Sequence, residues 1–368
     1  MAKIINCDME YVINNVFSHD EKTLIVFGTG RKFQQIVDIY GIEKKILYAI
    51  DNAIDKQDTV VSVKGENVPV YGLTKLLSDK NNSHYKLLIT SAYAISAILQ
   101  QINSYEELSN IEVYPLALIQ DNCKNEKVTY TKGKILIPKV IHYCWFGGSP
   151  IPDRLKIIME SWKKYCPDYE IVRWDESNYD VRKNDYMWEA YKNKKWGFVP
   201  DYARLDIIYN NGGVYLDTDV ELLKPLDDLL CDEGFFGFAT YSLIAAGLGF
   251  GGIKGNKTIK KLRDYYDDKH FEIGDGKLDL RPCTDHQRDV FINEGFVLNN
   301  KQQMISGTVL YPMEVFNPKG LLHIVDKSSI NTHSIHRVTG SWESADNMKD
   351  FYNSINFDYS KLIMENAN

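Results

Sequence analysis

The stretch Gly212-Gly213-Val214-Tyr215-Leu216-Asp217-Thr218-Asp219 decides how this chain is read. A glycine pair opens a short apolar run, and two carboxylates two residues apart close it. In extended backbone, residues i and i+2 point to the same face, so Asp217 and Asp219 can reach one point. Two like charges held that close raise each other's pKa unless a cation sits between them. Hard divalent ions such as Mg²⁺ and Mn²⁺ bind carboxylate oxygens and keep positions open for phosphate oxygens. The chemistry implied is the holding of a metal–diphosphate. A solvated acidic turn after a strand is the plain alternative, and a bare Asp-x-Asp does not exclude it.

Upstream runs Pro200-Asp201-Tyr202-Ala203-Arg204-Leu205-Asp206-Ile207-Ile208-Tyr209-Asn210-Asn211. Pro200 suits the first helical turn, and Gly212 suits the position that stops a helix. Ala203 with Ile207, and Leu205 with Ile208, give helical spacing. Asp201 and Arg204, three apart, share a face of the first turn and at least form an ordinary ion pair. The pattern predicts a helix–turn–strand unit that delivers Asp217 and Asp219 to a strand end, where open α/β sheets bind ligands. A second block, Ile135-Leu136-Ile137-Pro138-Lys139-Val140-Ile141-His142-Tyr143-Cys144-Trp145-Phe146-Gly147-Gly148, reads as a buried strand followed by a glycine loop. Trp145 is either core or a flat face for a nucleobase.

From about Ile137 to about Trp342 the chain resembles glycosyltransferase family 32, the sugar transferases with the Asp-x-Asp signature. More distantly, it is similar to the glucosyltransferase domains of large clostridial toxins. Three blocks carry the resemblance: Ile141 to Gly148, Asp201 to Arg204, and Gly212 to Glu221. It implies a GT-A-like α/β domain, with His142 and Trp145 in the donor-binding block and Trp145 stacked on the nucleobase. It implies that Asp201 and Arg204 contact the donor sugar and diphosphate, that Tyr215 lies near the ribose, and that Asp217 and Asp219 hold Mn²⁺ or Mg²⁺. The late stretch Thr332-His333-Ser334-Ile335-His336-Arg337-Val338-Thr339-Gly340-Ser341-Trp342 matches a closing segment. It makes His336 the third metal or diphosphate contact, with His333 as competitor, and Ser341 and Trp342 a lid. Asp285 or Gln287 falls in a faint match to a sugar-contacting segment, against the reading of a plain surface helix. Gly247 to Gly252 reads as a backbone-lined pocket wall or a simple turn. The implied activity is transfer from a nucleotide sugar, UDP-linked in the first instance, to a saccharide or lipid-linked oligosaccharide. Surface-polysaccharide assembly with retention of configuration is the expected setting. A protein-modifying effector, or a nucleotide-binding regulator with an inactive transferase domain, is the alternative.

The amino-terminal third has another pattern. Thr23-Leu24-Ile25-Val26-Phe27-Gly28-Thr29-Gly30 runs a strand into a glycine turn; a helix to Ile39 and a strand from Lys45 to Ile50 follow, and Asp51 closes the unit. This is a βαβ opening, but Phe33 stands where a third glycine would complete a dinucleotide fingerprint. The expectation is a small Rossmann-like domain over residues 1–130 and a transferase domain over 135–368. The first domain is expected to be structural, oligomerising (a homo-oligomer) or ligand-sensing.

The 368 residues suit two domains, and the net charge of −7 argues against a general nucleic-acid surface. Lys192-Asn193-Lys194-Lys195 is a local basic patch, either a solvated loop or a contact for an anionic acceptor or membrane surface. Cys7, Cys123, Cys144, Cys166, Cys231 and Cys283 show no Cys-x-x-Cys spacing, which fits a reducing compartment. No signal peptide and no apolar run of about 20 residues is evident. The chain is therefore expected in the cytoplasm, with peripheral association at the inner face of a membrane.

Overall fold

The computed structural model describes the chain except residues 19–21, 80–81, 126, 321, 323–325, 338–344, 363 and 367–368. The chain forms two compact units, and the division after the first falls between Lys124 and Asn125.

In the first unit, β1 (Lys3–Asn6), β2 (Leu24–Phe27), β3 (Ile46–Ile50), β4 (Thr59–Val63), β5 (Glu66–Tyr71), β6 (Lys86–Ile89) and β7 (Glu112–Pro115) lie in the order β1-β7-β6-β2-β3-β5-β4. Neighbours run parallel except the hairpin β4–β5. Every residue of β2 is buried, as expected of a parallel strand covered on both faces. Gly28 has φ +101°, which turns the chain toward helix Arg31–Tyr40. Phe33, which replaces the fingerprint's third glycine, is a core residue at 1% exposure. The Asp51 carboxylate is engaged by the backbone N–H of Thr29 at 3.0 Å, the Thr29 hydroxyl at 2.5 Å and Lys56 at 3.1 Å.

The second unit contains β8 (Val140–Cys144), β9 (Glu170–Trp174), β10 (Gly213–Tyr215), β11 (Val220–Leu222), β12 (Gly234–Thr240), β13 (Leu243–Ile244), β14 (Phe250–Gly252), β15 (Gln303–Ile305), β16 (Thr308–Tyr311) and β17 (Ser334–His336). Its main sheet has the order β15-β16-β12-β14-β10-β8-β9, and β11 pairs with β17 as a separate ribbon. The sheet is mixed: β8–β9, β10–β8 and β12–β16 are parallel, while β14 is antiparallel to both neighbours. Helix Pro200–Asn211 carries proline in its first turn and is buried from Asp201 through Ile208. A helix covered on all sides belongs to the interior, so its polar residues must find partners there.

Two expectations are corrected. The apolar run from Ile135 does not start the strand: Ile135 and Leu136 are 40% and 45% exposed. Pro138 has no N–H for a ladder, and Leu136 and Ile137 instead donate to the Leu230 carbonyl, so regular pairing begins at Val140. The carboxy-terminal end, expected in the transferase domain, belongs to the first unit. There β18 (Met364–Asn366) pairs in parallel with β1, and Phe351 of helix Ala345–Ile355 meets Tyr93 edge-on. An open edge on β1 is thereby covered.

Gly213 sits at φ +106°, and a Cβ there would lie 2.8 Å from the Val140 carbonyl oxygen and 2.9 Å from His142 Nε2. Gly213→Ala is expected to destabilise the second unit by ~2 kcal/mol or more, read as a lowered denaturation midpoint.

Candidate metal centre

The site is assembled at the end of β10. Its register sets Tyr215 beside His142 of β8, and the chain leaves the sheet as Leu216-Asp217-Thr218-Asp219. The next strand, β11, is held by helix Asp153–Tyr165: Trp162 Nε1 donates to the Val220 carbonyl at 2.7 Å, and Ser161 Oγ accepts from Leu222 N–H at 2.9 Å. Antiparallel pairing then sets His336 of β17 opposite Val220. This long-range pairing carries the imidazole next to the acidic pair. His336 Nε2 is 3.2 Å from Asp219 Oδ1. One ligand atom from each of Asp217, Asp219 and His336 lies within 4.8 Å of the others. Two carboxylate oxygens and an imidazole nitrogen fit Mn²⁺ well and Mg²⁺ through the carboxylates.

Behind the trio lies a buried arginine. Arg204 is 4% exposed; its Nη2 donates to Asp201 Oδ1 at 2.7 Å and its Nη1 to Asp217 Oδ2 at 3.4 Å. Nε donates to the Pro200 carbonyl at 3.0 Å, and the guanidinium lies over the Tyr215 ring, 5.3 Å from its centroid. The Tyr215 hydroxyl donates to Asp217 Oδ1 at 2.9 Å. Tyr215 thus positions the first acid of the pair. Gly247 closes the other side: a Cβ there would be 2.5 Å from Asp217 Oδ2 and 3.3 Å from Arg204 Nη1. Only glycine leaves room for the acid at this position.

The electrostatics ask for a cation. Burial pushes the Asp201 carboxyl up to about 7, with Arg204 opposing and Asp217 adding to the rise. Burial also raises Asp217, again against Arg204 and with help from Asp219. Burial lowers His336, but its ion pair with Asp219 outweighs this and holds the imidazole above its ordinary range. In the metal-free protein, acids are pushed toward their neutral forms and the histidine toward its charged form. A divalent ion reverses both.

The other expected residues fall in different places. Trp145 follows β8, is half-buried, and donates its indole N–H to the Ser149 carbonyl at 2.6 Å, which fixes the ring. His142 is corrected from donor contact to structural residue. Trp174 Nε1 donates to its Nδ1 at 3.0 Å, so Nε2 carries the proton toward the Gly212 carbonyl, also 3.0 Å away. Burial holds its pKa down at about 4, in keeping with this neutral tautomer. Gln287 is 1% exposed and accepts the Ala246 N–H on Oε1 at 3.3 Å. Asp285 is half-buried in the first turn of helix Cys283–Asn293. His333, the competitor of His336, is fully buried, and its Nδ1 lies 2.9 Å from the Asn331 carbonyl. Ser341 and Trp342 lie outside the described residues. The supporting roles of Trp174, Trp162 and Ser161 carried no signal in the sequence, because each depends on an inter-element contact.

Residues 152–236 match the family model described as a glycosyltransferase sugar-binding region containing the DXD motif. This chain is similar to inositol phosphoceramide mannosyltransferase 3 of Schizosaccharomyces pombe, 34% identical over 114 residues, covering 30% of this chain and 32% of that protein. It is also similar to mannosyl phosphorylinositol ceramide synthase SUR1 of Saccharomyces cerevisiae, 34% identical over 104 residues, covering 27% of each. The match thus spans about a third or less of these relatives' lengths. Among solved structures, the PaToxG glycosyltransferase aligns at 21% identity with a TM-score of 0.33, covering 43% of this chain and 70% of that one.

The pKa directions set a sign for metal binding. Acids whose folded pKa is raised contribute stability that is complete at low pH and lost as pH rises through the folded value, near 7 for Asp201. Mn²⁺ is therefore expected to raise the melting temperature more at pH 8 than at pH 5, where His336 and the acids still hold protons. Thermal shift with and without Mn²⁺ at the two pH values measures this. His336→Ala is expected to reduce the shift at pH 8.

Proposed function

We propose that this protein is a metal-dependent glycosyltransferase that moves a sugar from a nucleotide-sugar donor to a saccharide or lipid-linked saccharide acceptor. The observation that carries the reading is the convergence of Asp217, Asp219 and His336 within 4.8 Å beside the buried Arg204. A divalent ion held by these three residues would supply positive charge to the diphosphate as the glycosidic bond breaks. Arg204 fixes Asp217, and Asp201 accepts Arg204 on Oδ1, which leaves Oδ2 to accept from a donor hydroxyl. Trp145, its indole N–H already tied down, offers a face to the nucleobase.

A UDP-linked sugar is the first donor to test. GDP-mannose is the second, supported by the matching relatives whose names are those of mannosyltransferases. Mn²⁺ is favoured over Mg²⁺ by the imidazole in the donor set. We infer retention of configuration, with the acceptor attacking on the face the diphosphate leaves, and a role in surface-polysaccharide assembly. A cytoplasmic setting agrees with cysteines that form no disulfide among the described residues. Among the described residues no helix is long and apolar enough to cross a membrane. The intact acid–arginine set speaks against an inactive transferase domain.

Asp219→Asn is expected to lower Mn²⁺-dependent donor hydrolysis ~100-fold or more while the circular dichroism spectrum is unchanged; undiminished turnover would remove the metal role. Trp145→Ala is expected to weaken nucleotide binding ~10-fold by calorimetry, as loss of a base-stacking face does. Equal affinity would return Trp145 to a packing role.

A further inference from the structure

The second unit also carries an aromatic and basic patch that the donor chemistry leaves unused. Helix Asp185–Lys192 ends with paired capping bonds: Lys195 N–H to the Ala190 carbonyl at 2.9 Å, and Lys194 N–H to the Tyr191 carbonyl at 3.0 Å. This cap needs a left-handed residue at its turn, normally glycine. Here it is Lys194, at φ +56°. A long charged side chain held where glycine fits more easily points to a use for that side chain. Lys192 is paired with Glu272 at 3.5 Å, whereas Lys194 and Lys195 are exposed and have no acidic partner among the described residues.

The next residue, Trp196, is 38% exposed. Its ring presses on Gly147: a Cβ there would lie 2.8 Å from Cδ2 and Cε2 of the indole. Tyr191 meets Trp196 edge-on at 5.3 Å and stacks on Trp188 at 5.8 Å. Glu176 accepts the Gly147 N–H at 2.6 Å and hydrogen-bonds Tyr191, so the glycine loop and the aromatic cluster are tied together. The patch adjoins the donor residues along the chain on both sides. Gly147 is two residues past Trp145, and Trp196 is four before the Pro200 that opens the Asp201–Arg204 helix.

We propose that this patch is an acceptor subsite for an anionic saccharide. The C–H face of a sugar ring rests on the Trp196 indole, whose π-face is negative and flat. A phosphate or carboxylate on the same sugar meets the ammonium groups of Lys194 and Lys195, which act as point charges. A bilayer surface is the weaker fit: two free lysines fall short of the roughly four to eight basic residues that mark anionic-lipid binding. The word acceptor rests on the transferase reading; binding at the patch does not.

The test uses the full chain with EDTA present, so that the metal centre stays silent. Binding of α-D-glucose 1-phosphate, glucose, inorganic phosphate and phosphatidylserine vesicles is measured by calorimetry and tryptophan fluorescence. Glucose 1-phosphate is expected to bind more tightly than glucose or phosphate alone. Lys194→Gly is expected to raise its Kd about fivefold, without lowering the melting temperature, because glycine suits the turn. Trp196→Leu, which keeps an apolar cover on Gly147 but removes the flat face, is expected to raise Kd at least about fivefold. With metal restored, both variants should hydrolyse donor at the wild-type rate in the absence of acceptor. Unchanged Kd in both variants, phosphate binding as tightly as the sugar phosphate, or patch-dependent binding seen only with vesicles would overturn the proposal. Loss of donor hydrolysis in the wild type with patch-dependent sugar-phosphate binding intact would leave the saccharide site standing and remove only the transferase reading.

Discussion

The burial of one guanidinium organises the second unit. Arg204 is always charged, so a position at 4% exposure is tenable only with acids in contact. Asp201 and Asp217 provide them, one from the same helical turn and one from the end of β10. The contact couples the central helix to the strand end and holds Asp217 in place. It does not satisfy the acids fully. Asp217 and Asp219 come together with His336 within 4.8 Å, and burial pushes Asp217 and Asp201 toward neutrality. A pocket built this way has a stable arginine at its back and a standing demand for positive charge at its front.

His336, the candidate third ligand, reveals how much of the site depends on topology. Asp219 and His336 are brought together by the β11–β17 ribbon, whose register sets Val220 opposite His336. Trp162 and Ser161 fix the same ribbon from the helix side, through the Val220 carbonyl and the Leu222 N–H. The packing that steadies β11 therefore also sets the positions of Asp219 and His336, and a fault in either contact is felt at both side chains. Glycines make the complementary contribution. Gly213 and Gly247 each stand where a Cβ would strike a neighbour: the Val140 carbonyl and His142 in one case, Asp217 and Arg204 in the other.

What the sequence disclosed, and what it hid, follows from the range of the interactions. Helix Pro200–Asn211, the glycine turn and the carboxylates beyond it are local: proline at the start, Gly212 at the stop and i,i+2 spacing suffice to read them. The βαβ opening around Gly28 was legible for the same reason, as was the mainly parallel α/β character of the first unit. The errors are non-local. His142 has a donor-site residue type in a donor-site block, yet Trp174 from the neighbouring strand takes one ring nitrogen and Gly212 the other. Ile135 and Leu136 look like strand and are exposed, because Pro138 interrupts the ladder before it starts. No local pattern announces that the carboxy-terminal strand pairs with β1, more than 300 residues away. His336 could be named only through resemblance; its place beside Asp219 comes from strand pairing across more than 100 residues.

The account stands most directly on where a manganese ion goes. Anomalous diffraction at the manganese edge, from crystals soaked with MnCl₂ and a nucleoside diphosphate, answers this without reference to turnover. The account predicts a single strong peak among Asp217, Asp219 and His336, with diphosphate oxygens completing the coordination and Arg204 still bound to Asp201. A peak at another position, or diphosphate seated elsewhere with the three side chains unliganded, would contradict it.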